Sequence, residues 1–245
     1  MEHKVLSFAF CFFQFVLLQA QPVKSRFNTA ADAKYMKPIE REMITEINIV
    51  RADPAFYVKL LEPMLLSAKE DLRIRGKGSK NYSLTFRTRT ENGKTLNTID
   101  TTWHYTNEEE VKAIQTLMND LKKMKPLTIL LPDSGIYLAA RKHALDNDAH
   151  QWMLMHTGSD GSDPWDRITK FSPAMSFGNE NIAGRFPEPS ARDIVIQLLI
   201  DSGIPGYGHR YNLLDPQWTH AACYTSGLKD GMYRWVQEFG KMKKF

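Results

Sequence analysis

The chain carries two cysteines, Cys11 and Cys223. Cys11 lies in a stretch that reads as a secretory signal: Met1-Glu2-His3-Lys4, an apolar run from Val5 to Leu18 broken by Ser7 and Gln14, and a small residue, Ala20, where cleavage is expected. Removal of residues 1–20 leaves Cys223 alone, so no intrachain disulfide is available and the fold must rest on a buried core. With 245 residues, 42% of them apolar, the chain is long enough to build one. The first apolar run is short for a membrane span, although an uncleaved anchor stays open as the alternative, and no later stretch is long enough. The expectation is a secreted, extracellular protein with no stable membrane span in its mature form.

Residues 21–37 form a polar leader, and 38–245 are expected to make one domain with a loop and β-hairpin inserted at about 67–106. Pro38 to Val50 has helical spacing in Ile39, Met43, Ile44 and Ile47, with Glu40 and Glu42 in the first turn. Pro54 opens a second helix to about Leu66, turning Phe56, Leu60 and Leu61 inward. The charged, Gly-containing stretch Lys69 to Lys80 reads as an exposed loop. Tyr82 to Thr88 and Thr98 to Tyr105 are β-rich around the turn Glu91-Asn92-Gly93-Lys94.

Thr106 is expected to cap a helix running to Lys125, and Pro132-Asp133-Ser134 opens another that carries His143, read as a surface or satisfied core histidine. Ser190 to Ser202 makes a further amphipathic helix, Thr219 to Tyr224 a short strand with Cys223 as a buried thiol, and Met232 to Phe239 a strand with an aromatic face. Helices and strands mix without regular βαβ alternation, which points to an α+β layered fold. A net charge of +4 from scattered Lys and Arg argues against nucleic acid as a partner. Asn81-Tyr82-Ser83 is a glycosylation sequon if the chain is exported.

Three polar clusters hold ionisable residues among turn-formers: His156-Thr157-Gly158-Ser159-Asp160-Gly161, Gly178-Asn179-Glu180-Asn181-Ile182-Ala183 and Gly206-Tyr207-Gly208-His209-Arg210-Tyr211-Asn212. Two imidazoles and a carboxylate suit either a divalent metal or acid/base work; structural capping is the competing reading. There is no HExxH, CxxC, GxSxG, P-loop or GxGxxG. Ser159 and Ser202 read as turn and helix-end caps rather than nucleophiles.

The succession from His156 to Ile168, then Gly178-Asn-Glu-Asn-Ile-Ala183, then Gly208-His-Arg-Tyr-Asn-Leu-Leu214 with Trp218 and Cys223 behind it, resembles the CAP superfamily. That superfamily comprises cysteine-rich secretory, antigen 5 and pathogenesis-related 1 proteins, and the resemblance is to its cysteine-poor, SCP-like branch. It covers about Pro126 to Phe239, with Asn48 and Arg51 matching the first family helix. It implies a three-layer α-β-α sandwich with a central antiparallel sheet and a cleft built on His156, Glu180 and His209, with Asn181, Ser202 and Arg210 also lining it. The fourth, acidic position falls on Ser202, with Asp201 one place earlier. Adjacent helical residues point about 100° apart, so Asp201 need not reach the cleft.

The resemblance implies a non-enzymatic, SCP-like protein that binds a small lipid or sterol-like ligand or an extracellular protein partner. It also implies a cleft able to hold a divalent metal such as zinc on His156, His209 and Glu180. Two alternatives stay open: a metal-assisted or acid/base hydrolase using the same three residues, and an extracellular scaffold with a vestigial cleft.

Overall fold

A computed structural model describes residues 26–91, 94–150, 155–185, 189–227 and 233–244, with the backbone alone described across 84–100 and at 185. The expected signal at 1–20, the turn residues Asn92 and Gly93, and Trp152-Met153-Leu154 lie outside the described residues.

Helix α1 (Pro38–Ala52) starts where Glu40 reaches back to accept from the Lys37 amide at 2.6 Å, with Pro38 at its first position. Met43, Ile44, Ile47 and Val50 are fully buried, the helical stripe read from the sequence. Asn48 ties the end of the leader to the domain: its side-chain amide donates to the carbonyls of Phe27 and Leu130, and its oxygen accepts from the Leu130 amide. Phe27, Ala30, Ala33 and Met36 are therefore core residues, and the leader's second half belongs to the fold.

Asp53 caps α2 (Pro54–Arg75) by accepting from the Phe56 amide. This helix runs nine residues beyond the expected end near Leu66. Its last turns are mostly exposed, and Arg73–Glu70 and Arg75–Asp71 pairs at helical spacing hold them, so the charge that suggested a loop is a solvated helix face. Strands β1 (Lys80–Glu91) and β2 (Lys94–Tyr105) pair antiparallel from Lys80↔Tyr105 to Glu91↔Lys94 and form a separate two-stranded sheet. In α3 (Thr106–Lys123) the cap position falls on Tyr105. Thr106, expected as the cap, is already helical, and its hydroxyl accepts from the Ser79 amide instead.

The central sheet has the order β3-β5-β6-β4, from β3 (Leu131–Pro132), β4 (Met175–Arg185), β5 (His220–Gly227) and β6 (Tyr233–Met242). It is antiparallel apart from the two-residue β3, which runs parallel to β5. The remaining helices are α4 (Ser134–Ala149), α5 (Pro164–Phe171), α6 (Ala191–Ile200) and α7 (Gly208–Leu214).

The period of two along the strands sorts these helices into two outer layers. On one face Val236 and Ile182 cluster with Ala140 and Ala144 of α4, Arg234 pairs with Asp148 of α4, and Glu180 meets Arg167 of α5. On the other, Cys223 donates to the Glu40 carbonyl of α1 and Gln237 donates to the Met43 sulfur. Helices α6 and α7 pack beside α1 on that side. The result is the α-β-α sandwich that the sequence resemblance implied. Gly178 allows the close approach of α5, since a Cβ there would lie 2.5 Å from Ile168 Cδ1 and 2.7 Å from the Phe239 carbonyl.

Candidate functional site

Glu180 projects from β4 into the α4/α5 layer and is 2% exposed. Its two oxygens have separate partners: Oε1 accepts from His156 Nδ1 at 2.8 Å, and Oε2 accepts from Arg167 Nη2 at 2.9 Å. Arg167 also donates to the His156 and Ser162 carbonyls, so one guanidinium fixes the His156 segment over the carboxylate. His156 itself is half exposed.

His143, read from sequence as a surface or satisfied core histidine, is fully buried beside this group. Its Nε2 lies 2.7 Å from the Met155 carbonyl and 3.5 Å from Glu180 Oε1. Burial pushes its imidazole below the usual histidine range, outweighing the opposing pull of Glu180.

Directly across the ladder from Glu180 stands Glu238 of β6, also fully buried, with no hydrogen-bond partner on either oxygen in its ionised form. Burial, reinforced by the Glu180 charge, pushes the Glu238 carboxyl well above the usual carboxylate range. For Glu180 burial also acts upward, but the His156 hydrogen bond and the His143 and Arg167 charges outweigh it, and its carboxyl is held low. Burial and the Glu180 charge thus favour the proton on Glu238 over Glu180.

The third cluster is tied to β4 through amides. Asn212 donates to the Glu180 carbonyl and to Asn181 Oδ1, and Asn181 donates to the His209 carbonyl. Asn181 is thus a buried strut rather than a cleft-lining residue. Arg210 is likewise not in a cleft. It is 1% exposed and spends its donors on the carbonyls of Leu199, Ile200 and Ala113, with Asp120 on its far side. In both cases the backbone buried beneath α7 needed donors, and these polar side chains supply them.

His209 is bound by Asp201, at 2.7 Å from Nδ1 to Oδ1 and 3.0 Å from the backbone amide to Oδ2. The expectation that Asp201 need not reach the cleft assumed that α6 continues to Ser202. The helix ends at Ile200, and Asp201 adopts a left-handed conformation with φ 55°, which turns its carboxylate to His209.

The predicted residues therefore form two imidazole–carboxylate pairs, His156–Glu180 and His209–Asp201. Among the described residues no three His, Cys, Asp or Glu side chains gather closely enough to hold a metal ion. The set does not fit the three-ligand zinc site implied at the outset, because His156, Glu180 and His209 do not converge on one point: His156 and Glu180 form one pair and His209 belongs to another with Asp201.

A hollow of about 540 Å³ opens beside the second pair, walled by Met64 of α2, Ile182 of β4, Ile196 and Leu198 of α6, and Ile204, with His209 and Asp201 at its rim. Ser202 also lines it. His156 and Glu180 do not. Neither serine weighed as a nucleophile is set up as one: Ser159 donates its hydroxyl to Asp146, and Ser202 forms no hydrogen bond with either histidine. Cys223 is buried, and burial pushes its thiol well above the usual range.

Sequence reading missed Arg167 and Glu238, and it read His143 as a surface or satisfied core histidine without its neighbour Glu180. Glu238 had a signal, since Arg234, Val236 and Glu238 share one face of an alternating strand whose neighbours are all buried. Arg167 stood inside the motif from His156 to Ile168 without drawing attention.

No curated protein matches the chain. Among solved structures it is similar to an outer surface protein from Borrelia burgdorferi, at 22% identity over 56% of this chain and 95% of that one, with a TM-score of 0.42. It is also similar to an extracellular protein containing a SCP domain from Bacillus anthracis str. Ames, at 19% identity over 58% of this chain and 46% of that one, with a TM-score of 0.37. The family model for the cysteine-rich secretory protein family, CAP, matches residues 115–239, from the middle of α3 into β6. That span holds both imidazole–carboxylate pairs and more than half of the chain, and the protein belongs to the CAP family.

Proposed function

We propose that this protein binds rather than catalyses, taking a small lipid or sterol-like ligand into the hollow beside His209, and that it does so outside the cell. The observation that carries the reading is the hollow itself. At about 540 Å³ it lies within the roughly 300–1,000 Å³ typical of small-molecule sites, and its lining joins an aliphatic group that includes Met64, Ile182, Ile196, Leu198 and Ile204 to polar residues that include His209, Asp201 and Glu110. Such a surface rewards an apolar ligand body at about 25 cal/mol per Å² of area removed from water.

The competing hydrolase would need Glu180 as a base, yet that carboxylate is buried with each oxygen already engaged. The extracellular part of the proposal is supported by the apolar run Val5 to Leu18. Among the described residues no helix is long and apolar enough to cross a membrane.

The test is native mass spectrometry of the purified chain, before and after exposure to cholesterol and to a fatty alcohol. A one-to-one adduct that disappears in Ile204→Glu supports the proposal. No adduct with either probe defeats it.

A further inference from the structure

A second hollow, of about 490 Å³, adjoins the first and is built on the roots of the β1–β2 hairpin, with Asn81, Tyr82, His104 and Thr106 on its wall. The two hollows share Glu110 and Ser202. Most of this second wall comes from residues before the family-matched span. The hairpin is seated on the cleft by Ser83, whose hydroxyl donates to the Gly203 carbonyl in the loop after α6.

Glu110 differs from its neighbours on α3. Glu108 pairs with Lys77 at 2.8 Å, and Glu109 accepts from Tyr207 and pairs with Lys112. Glu110 has no hydrogen-bond or ion-pair partner among the described residues, although it is half-buried at the junction of the hollows. The other carboxylates on these walls are occupied, Asp201 by His209 and Asp193 by the Ser190 cap. Among the described residues no Lys or Arg lines either hollow. The aliphatic wall of Met64, Ile196 and Ile204 thus meets one carboxylate without a partner, beside the hydrogen-bonding side chains of Asn81, His104, Thr106 and Ser202.

From this juxtaposition we infer that the ligand is an amphipathic amine, with its apolar body along Met64, Ile196 and Ile204 and its single ammonium group at Glu110. This rests on the ligand-binding reading above and narrows it. An ammonium group brings the charge that the half-buried carboxylate lacks, whereas a carboxylate head would set like charges together in a partly desolvated space. A hydroxyl head can donate a hydrogen bond to the carboxylate but brings no charge to compensate it.

The experiment is calorimetric titration with dodecylammonium, dodecanol and dodecanoate, below their micellar concentrations and at fixed ionic strength. It uses the native chain, Glu110→Gln, and Glu108→Gln as a control for surface charge away from the hollows. The expected result is dodecylammonium binding at least tenfold tighter than dodecanol, and dodecanoate weakest. Glu110→Gln should erase that preference, with a thermal unfolding midpoint close to that of the native chain showing that the variant is folded; Glu108→Gln should keep the preference.

Dodecanol bound as tightly as dodecylammonium overturns the inference and leaves the ligand-binding reading standing. A preference that survives Glu110→Gln, or vanishes in Glu108→Gln, does the same. Failure of all three probes to bind the native chain overturns both.

Discussion

Asp201 holds His209 twice, through the ring nitrogen Nδ1 at 2.7 Å and through the backbone amide at 3.0 Å, and it does so from a left-handed residue at the end of α6. One carboxylate thereby sets both the ring and the start of α7. Removing it strands a part-buried amide and imidazole, which costs about 1–3 kcal/mol. Asp201→Ala is expected to lose that much in denaturant unfolding, whereas Ser202→Ala next to it stays within about 0.5 kcal/mol of the native chain. Equal losses in the two variants would show that Ser202, not Asp201, carries the fourth position.

Glu238 gives the protein a stability profile that falls on the alkaline side. Its folded carboxyl titrates above the unfolded value of about 4.3, so between the two values the native state holds a proton that the unfolded state has released. Stability from this group is complete below about pH 4.3 and is lost as pH rises toward the folded value, at up to about 1.4 kcal/mol per pH unit. Glu238→Gln, which mimics the protonated form and cannot ionise, is expected to remove that slope and to be more stable than the native chain at pH 7. Parallel stability curves for the two proteins from pH 4 to pH 8 would mean that Glu238 is ionised in the fold.

Among the described residues Arg167 is the one guanidinium in direct reach of the buried carboxyl pair, at 2.9 Å from Glu180 and 3.8 Å from Glu238. Replacing it with methionine leaves a buried charge uncompensated, at an expected cost of about 3–5 kcal/mol. The loss should shrink in a chain that also carries Glu180→Gln, because no charge is then left to compensate. A double-mutant cycle on unfolding free energies measures this, and additive losses would contradict the pairing.

What was legible in the sequence follows from how far each signal reaches along the chain. The core stripe of α1, the alternation of β6 and the hairpin depend on neighbours within a few residues, and they were read with small errors at the ends. The extension of α2 was missed because its charged last turns look like a loop until the Arg–Glu and Arg–Asp spacing is noticed. His156, Glu180 and His209 stood out by their turn settings, but their partners depend on tertiary contacts. His143 and Arg167 reach Glu180 across 37 and 13 positions of sequence, and Glu238 reaches it across a strand ladder. Arg210 and Asn181 were expected in the cleft because the family resemblance implied it, and nothing in their local sequence marks which way a polar side chain faces.

The most direct test of the central proposal is calorimetric titration of the native chain with a neutral, sterol- or alcohol-type ligand, repeated with Ile196→Glu and in the presence of a chelator. Saturable one-to-one binding, weakened at least tenfold by Ile196→Glu and unchanged by the chelator, is the expected result, since the ligand body rests on the hollow's aliphatic residues and no cluster of three metal-ligating side chains forms among the described residues. Binding that ignores Ile196→Glu, or that disappears with the chelator, would contradict it.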